Sequence, residues 1–218
     1  PDTLAWQAKL IRHYCIEGNR TMLSDKYGYK YDAGHLANPD FADGLAGWTV
    51  EPAAPGSITI ENIKNYGFDR GTRNTAPDGD DVLLMTRVPG RVNRISQTLK
   101  NLKPGSYYEI SLKSADYDDV KNGQSPLKMM PVRISVQNAE IDQERSYIQV
   151  YPVVQKMKPR EQGICGNHQT IVFRAKAPTA KLIITDEVPQ FKGRQFHQRP
   201  FAAANPNQQR VIFNFIQV

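Results

Sequence analysis

The residues in this chain that could do chemistry are few, and most sit in irregular stretches. Asp116, Asp118 and Asp119 cluster after a strand-like run, where two carboxylates could serve as the acid and base of a glycosidase. Such a pair must flank a glycosidic bond at a separation of about 5 to 10 Å, which neighbours in sequence have no reason to achieve, so the cluster reads as an exposed acidic turn. Cys165-Gly166-Asn167-His168 brings a thiol near an imidazole, but no second ligand pair accompanies it and it reads as an ordinary loop. The other histidines, His13, His35 and His197, show no H-E-x-x-H spacing. No G-x-S-x-G elbow, phosphate loop or G-x-G-x-x-G run occurs either. The chain is therefore expected to have no catalysis of its own.

Binding chemistry is better represented. The C–H face of a pyranose stacks on an aromatic ring, while its hydroxyls are fixed by groups that both donate and accept hydrogen bonds. Tyr66, Phe68, Tyr117, Phe191 and Phe196 lie in three long irregular segments, 65–80, 117–127 and 189–209, among Asn, Asp, Arg, Gln and His residues. Long loops on a rigid scaffold are where binding is commonly placed. The expected ligand-binding set is Tyr66, Phe68, Arg70, Asp116, Tyr117, Phe196 and His197. For the phenylalanines the alternative is that each ring anchors its loop to the body. Trp6 and Trp48 are assigned to packing.

The elements that must position these groups are strands. Runs rich in Val, Ile, Tyr and Thr cover 48–52, 57–63, 81–88, 93–102, 106–117, 128–138, 146–154, 169–176, 180–186 and 210–218, separated by Gly, Pro, Asn and Asp clusters. Alternation in Tyr108-Glu109-Ile110-Ser111-Leu112 and Val132-Arg133-Ile134-Ser135-Val136 gives each sheet one dry and one wet face. The pattern predicts an all-β, antiparallel two-sheet sandwich. It is preceded by a short helical segment over 3–17, where Leu4, Ala8, Ile11 and Cys15 share a face ahead of Gly18-Asn19.

Three stretches, in order, carry a family resemblance. They are the opening Asn38-Pro39-Asp40-Phe41-Ala42-Asp43-Gly44-Leu45-Ala46-Gly47-Trp48, the run Ser96-Gln97-Thr98-Leu99 followed by Leu102-Lys103-Pro104-Gly105-Ser106-Tyr107-Tyr108, and the closing strand Val211–Val218. Together they resemble the jelly-roll carbohydrate-binding modules of the xylan- and glucan-binding kind, which share the galactose-binding-like sandwich and accompany polysaccharide-degrading enzymes. The resemblance implies a jelly-roll topology, an oligosaccharide or polysaccharide partner, and a parent catalytic domain in the same polypeptide. Relatives often carry a structural calcium tying the opening to the last strand. Here the matching anionic positions hold Ala42 and Asn214, so the inherited metal set reduces to Asp40, Asp43 and Asn214.

Composition bounds the rest. Lys and Arg number 28 against 22 Asp and Glu, a formal net charge of +6, which favours anionic partners such as an acidic polysaccharide. The basic residues are scattered, without the interleaved aromatics of a nucleic-acid reader, and no nucleic-acid partner is expected. No apolar run is long enough for a membrane-spanning helix, and no membrane partner is expected. Cys15 and Cys165 are far apart and read as isolated thiols. Residues 1–34 read as a helical tail of a preceding domain or a connector, and 35–218 as the sandwich. The abrupt start fits a fragment of a larger secreted or periplasmic protein. The leading reading is a noncatalytic carbohydrate-binding or accessory module. The alternative is a structural sandwich that docks on its parent catalytic domain and binds no glycan.

Overall fold

In the computed structural model the described residues are 8, 11–12, 34–64, 66, 80–122, 130, 132–151, 166–187, 194–196 and 209–218. The chain divides into two compact units, Pro1–Ala33 and Gly34–Val218, and the fold is that of the second. The expected helix over 3–17 falls almost wholly outside the described residues.

The second unit is an all-β sandwich. Its strands are β1 (Thr49–Glu51), β2 (Ile58–Asn62), β3 (Asp81–Thr86), β4 (Arg94–Leu99) and β5 (Tyr107–Asp116). After the short helix α1 (Tyr117–Lys121) come β6 (Arg133–Gln137), β7 (Ala139–Tyr151), β8 (Gly166–Ala175), β9 (Ala180–Thr185), β10 (Arg194–Phe196) and β11 (Arg210–Gln217). One sheet runs β1-β4-β9-β6 and the other β10-β7-β8-β5-β11-β3-β2. Consecutive strands repeatedly change sheets, as in β3 to β4 and β5 to β6. Pairing is antiparallel except between β10 and β7.

Each of the ten expected strands has a counterpart, and β10 is added. β7 starts at Ala139 rather than at 146, because Asn138 takes a left-handed conformation (φ +61°) and turns the chain from β6 in one sheet directly into β7 in the other. Glu140, Asp142 and Glu144 hid that first half, since acidic side chains are poor strand formers unless they face water.

Period-two alternation builds the core. Leu83 and Met85 of β3, Ile110 and Leu112 of β5, Phe173 of β8, Phe213 of β11, Ile95 of β4 and Leu182 and Ile184 of β9 form one buried cluster between the sheets. Phe41 closes it at one end. Its ring lies 5.7 Å from Trp48 and 6.0 Å from Phe213.

The Pro104-Gly105 turn before β5 has a local cause. Pro104 and Gly105 (φ +86°) sit at the centre of a turn closed by Ser106 N donating to Lys103 O at 3.1 Å, and only glycine takes that conformation without strain. Leu102 is buried below the turn, and the Tyr108 hydroxyl accepts from Lys103 N at 2.6 Å. The L-x-P-G-x-x-Y run thus braces the turn that carries the chain from β4 in one sheet to β5 in the other.

Candidate functional site

The described members of the expected binding set sit elsewhere than expected. Tyr66 is fully buried and Tyr117 nearly so. With Val82, Leu84, Ala115, Val120 and Ile212 they form a second apolar cluster on the outer face of the seven-stranded sheet. The reason is phase: Val82, Leu84, Ala115 and Ile212 are the outward residues of their strands, and this apolar patch must be covered. Neither tyrosine presents a ring face to a sugar in this arrangement.

Charged groups close over Tyr117. The Arg210 guanidinium lies 4.6 Å and the Lys121 ammonium 5.2 Å from its ring centre. Its hydroxyl donates to Glu61 Oε2 at 3.3 Å and accepts from Lys121 Nζ at 3.0 Å. That bond is the main cause raising the Lys121 pKa.

Asp116 caps α1, its Oδ1 accepting from Asp118 N at 3.0 Å and Asp119 N at 3.1 Å. Asp118 pairs with Arg210. The two carboxylates that might have made an acid and base are thus committed to local structure. Phe196 lies on β10, in register with Gln149 of β7. Phe68, Arg70 and His197 fall outside the described residues.

A different surface gathers rings and polar groups. Pairing across β5, β8 and β7 aligns four outward rows: Tyr107-Arg174-Glu140, Glu109-Val172-Asp142, Ser111-Thr170-Tyr147 and Lys113-His168-Gln149. Tyr107 is 53% exposed, and no other aromatic stands among the exposed large hydrophobics of the described residues. A bulge between Asp142 and Tyr147 delivers Arg145, whose guanidinium lies 4.9 Å from the Tyr107 ring centre. The bulge is pinned by Ser146, whose hydroxyl donates to Asp142 O at 2.6 Å and accepts from Val172 N at 3.0 Å. Asp142 orients Arg145 through a 3.4 Å ion pair with its Nε and by accepting its backbone N–H at 3.1 Å. Arg174 is held by Nε donating to Gly105 O at 2.9 Å.

At the far end of the strip, Tyr147 and His168 stack nearly parallel, 6.0 Å between centres. His168 Nε2 lies 3.1 Å from Thr170 Oγ1. Burial, and secondarily the Lys113 charge, holds the His168 imidazole below its ordinary pKa.

Sequence reasoning missed Tyr107 and Arg145. The signal for Tyr107 was present, since it lies out of phase with the core positions Tyr108, Ile110 and Leu112. Arg145 had no such signal, because the bulge that aims it depends on pairing with β8.

The sandwich interior becomes polar at the end away from Phe41. Arg87, following β3, is buried; its Nη1 donates to Gln209 Oε1 at 2.6 Å, while its Nε and Nη2 have no hydrogen-bond partner among the described residues. Asp186, following β9, accepts from Asn93 N at 3.0 Å and from Asn93 Nδ2 at 2.7 Å. Asn93 also takes Ala53 N at 2.8 Å and the Ser57 hydroxyl at 2.6 Å on its Oδ1. Burial raises the Asp186 pKa against the Asn93 hydrogen bonds, and burial lowers that of Arg87 against the charges of Asp186 and Asp116.

The donors at the inherited calcium positions do not fit that ion. Ala42 offers no side-chain oxygen, Asn214 is buried with its Nδ2 donating to Asp81 O, and Asp40 Oδ1 is 3.4 Å from Ala42 N. Among the described residues, no three His, Cys, Asp or Glu side chains gather as a metal site.

No protein-family model matches the chain, and no curated protein is similar to it. Among solved structures it is similar to the enzymatically active domain of tailspike protein 4 of bacteriophage CBA120, at 10% identity and a TM-score of 0.43 over 84% of this chain. The chain spans only 21% of that structure's length. It is also similar to TmCBM61, solved in complex with β-1,4-galactotriose, at 13% identity and a TM-score of 0.39, covering 84% of this chain and 99% of that one.

Proposed function

We propose that the Gly34–Val218 unit is a noncatalytic carbohydrate-binding module that takes an oligosaccharide or polysaccharide on the outer strip of β5, β8 and β7. The observation that carries this reading is Tyr107: an aromatic ring more than half exposed, flanked by Glu109 of its own strand and by Arg145, Arg174 and Glu140 of the adjoining β8 and β7. The ring supplies a stacking surface. The guanidinium and carboxylate groups supply donors and acceptors for hydroxyls. The braced turn before β5 and the bulge in β7 hold both in place before a ligand arrives, which lowers the ordering cost of binding. In this reading the module belongs to a larger secreted or periplasmic glycan-degrading polypeptide whose catalytic domain does the chemistry. The net charge of +6 makes an acidic polysaccharide the favoured partner.

Affinity electrophoresis across neutral and acidic polysaccharides tests this. Replacing Tyr107 by Ala should weaken retention about tenfold, the loss of roughly 1.4 kcal/mol of stacking, with the melting temperature unchanged. Preference for acidic polymers should fade as salt shortens the screening length to below about 8 Å. Absence of retardation on every polysaccharide would discard the binding reading and leave a sandwich that docks on its parent domain.

A further inference from the structure

We propose that the opening segment is fastened to the closing strand without a divalent cation, the carboxamide of Asn38 standing where a cation would otherwise collect the loop's oxygens. Asn38 takes a left-handed backbone (φ +45°), which asparagine tolerates, and its side chain turns into its own loop. Nδ2 donates to Gly44 O and to Ala46 O, both at 3.0 Å, while Oδ1 accepts from Asp43 N at 3.1 Å. One planar group therefore satisfies two carbonyls and one amide.

That mixture distinguishes an amide from a cation. A calcium ion takes six to eight oxygen ligands, often anionic ones, and repels an N–H directed at it. Here the Asp43 N–H points at the same group as the two carbonyls and needs an acceptor, which only the amide provides.

The neighbouring oxygens are also engaged. Asn38 O accepts the Trp48 ring N–H at 3.1 Å, Phe41 O accepts Gly44 N at 2.9 Å, and Asp43 O and Leu45 O accept Ala46 N and Trp48 N at 3.2 and 3.1 Å. Pro39 O accepts Ile216 N at 3.3 Å, a direct tie to β11. Phe41, inserted between Trp48 and Phe213, completes the fastening from inside the core. The carbonyls of Asn38, Pro39, Phe41, Asp43, Gly44, Leu45 and Ala46 are thus spent on N–H donors, and the ring of Phe41 anchors the loop in the core.

The test uses the whole chain and is independent of any glycan. Thermal unfolding is followed in EDTA and in millimolar calcium chloride, for the parent and for Asn38→Ala. The parent midpoint is expected to be the same in both buffers. Asn38→Ala should melt about 4–8 °C lower, again in both, from the loss of the amide's hydrogen bonds. Hydrogen exchange at the Asp43 amide should accelerate at least about tenfold in the variant, since its acceptor is gone. A parent midpoint that rises with calcium or falls with EDTA overturns the proposal, and so does an Asn38→Ala protein as stable as the parent. Should the variant fail to fold, the parent's response to the two buffers still decides.

Discussion

Where the opening segment closes the sandwich interior, Phe41 meets Trp48 and Phe213 in ring contacts inside the main apolar cluster. At the other end the extensions of the strands turn Arg87, Asn93 and Asp186 into buried positions. The hydrogen bonds follow the same division. At the polar end Asn93 joins Ser57, Thr86 and Asp186, so satisfaction replaces packing as the organising requirement. The apolar end gains by excluding water and tolerates many sequences of similar volume. The polar end tolerates few, because each removed partner leaves another group buried and unpaired. The Arg87 guanidinium is buried with only one of its nitrogens hydrogen-bonded among the described residues, so this end is held by polar contacts rather than packing.

The contrast can be broken first at Phe41. Phe41→Ala opens a cavity at the apolar end and should cost about 3–5 kcal/mol, read from denaturant unfolding with an unchanged slope. A loss below about 1 kcal/mol would mean that the opening segment is not part of the core.

At the polar end, Asp186→Asn should cost about 1–3 kcal/mol, since it turns an acceptor of two Asn93 N–H bonds into a group that must also donate. Arg87→Met, of similar volume and without charge, strips Gln209 Oε1 of its donor and Asp186 of a nearby positive charge, and should cost about 1–3 kcal/mol. If Arg87→Met is neutral or stabilising, the guanidinium is dispensable and the polar end tolerates the loss of a partner after all.

The third and smallest effect is one of pH. His168 stands between the buried Asn167 and Gln169 on β8, and its lowered pKa means that the native state binds fewer protons than the unfolded chain. Its contribution to stability is present above the ordinary imidazole value of 6.5 and is lost as pH falls from there through the lowered folded value. The melting temperature should decline over that interval, and His168→Gln should flatten this part of the curve. An unchanged profile would assign the acid response to other groups.

How far the sequence reaches is clearest at its own motifs. Gln97 of the S-Q-T-L run accepts from Ala37 N at 2.7 Å and donates to Ala37 O at 3.1 Å, binding that run to the opening segment. Gly47 (φ +82°) lies against Ala37 and Gln97 at the same junction. The residues that carried the family resemblance are thus those that fix the frame, and they say little about the ligand. Tyr66 and Tyr117 illustrate the opposite case. They lie in polar, turn-rich surroundings that read as exposed, yet both are buried because an apolar patch on the outer face of the larger sheet needed a cover.

The sequence by itself determined the strand periods, the turn at Pro104-Gly105, the burial of Trp48 and the all-β class, because each depends on backbone sterics and on neighbours within a few residues. Only the tertiary structure decided which aromatic faces water, where Arg145 is aimed, and that Arg87, Asn93 and Asp186 meet at one end. Those outcomes depend on register between strands distant in sequence, and local preference carries no information about register across sheets.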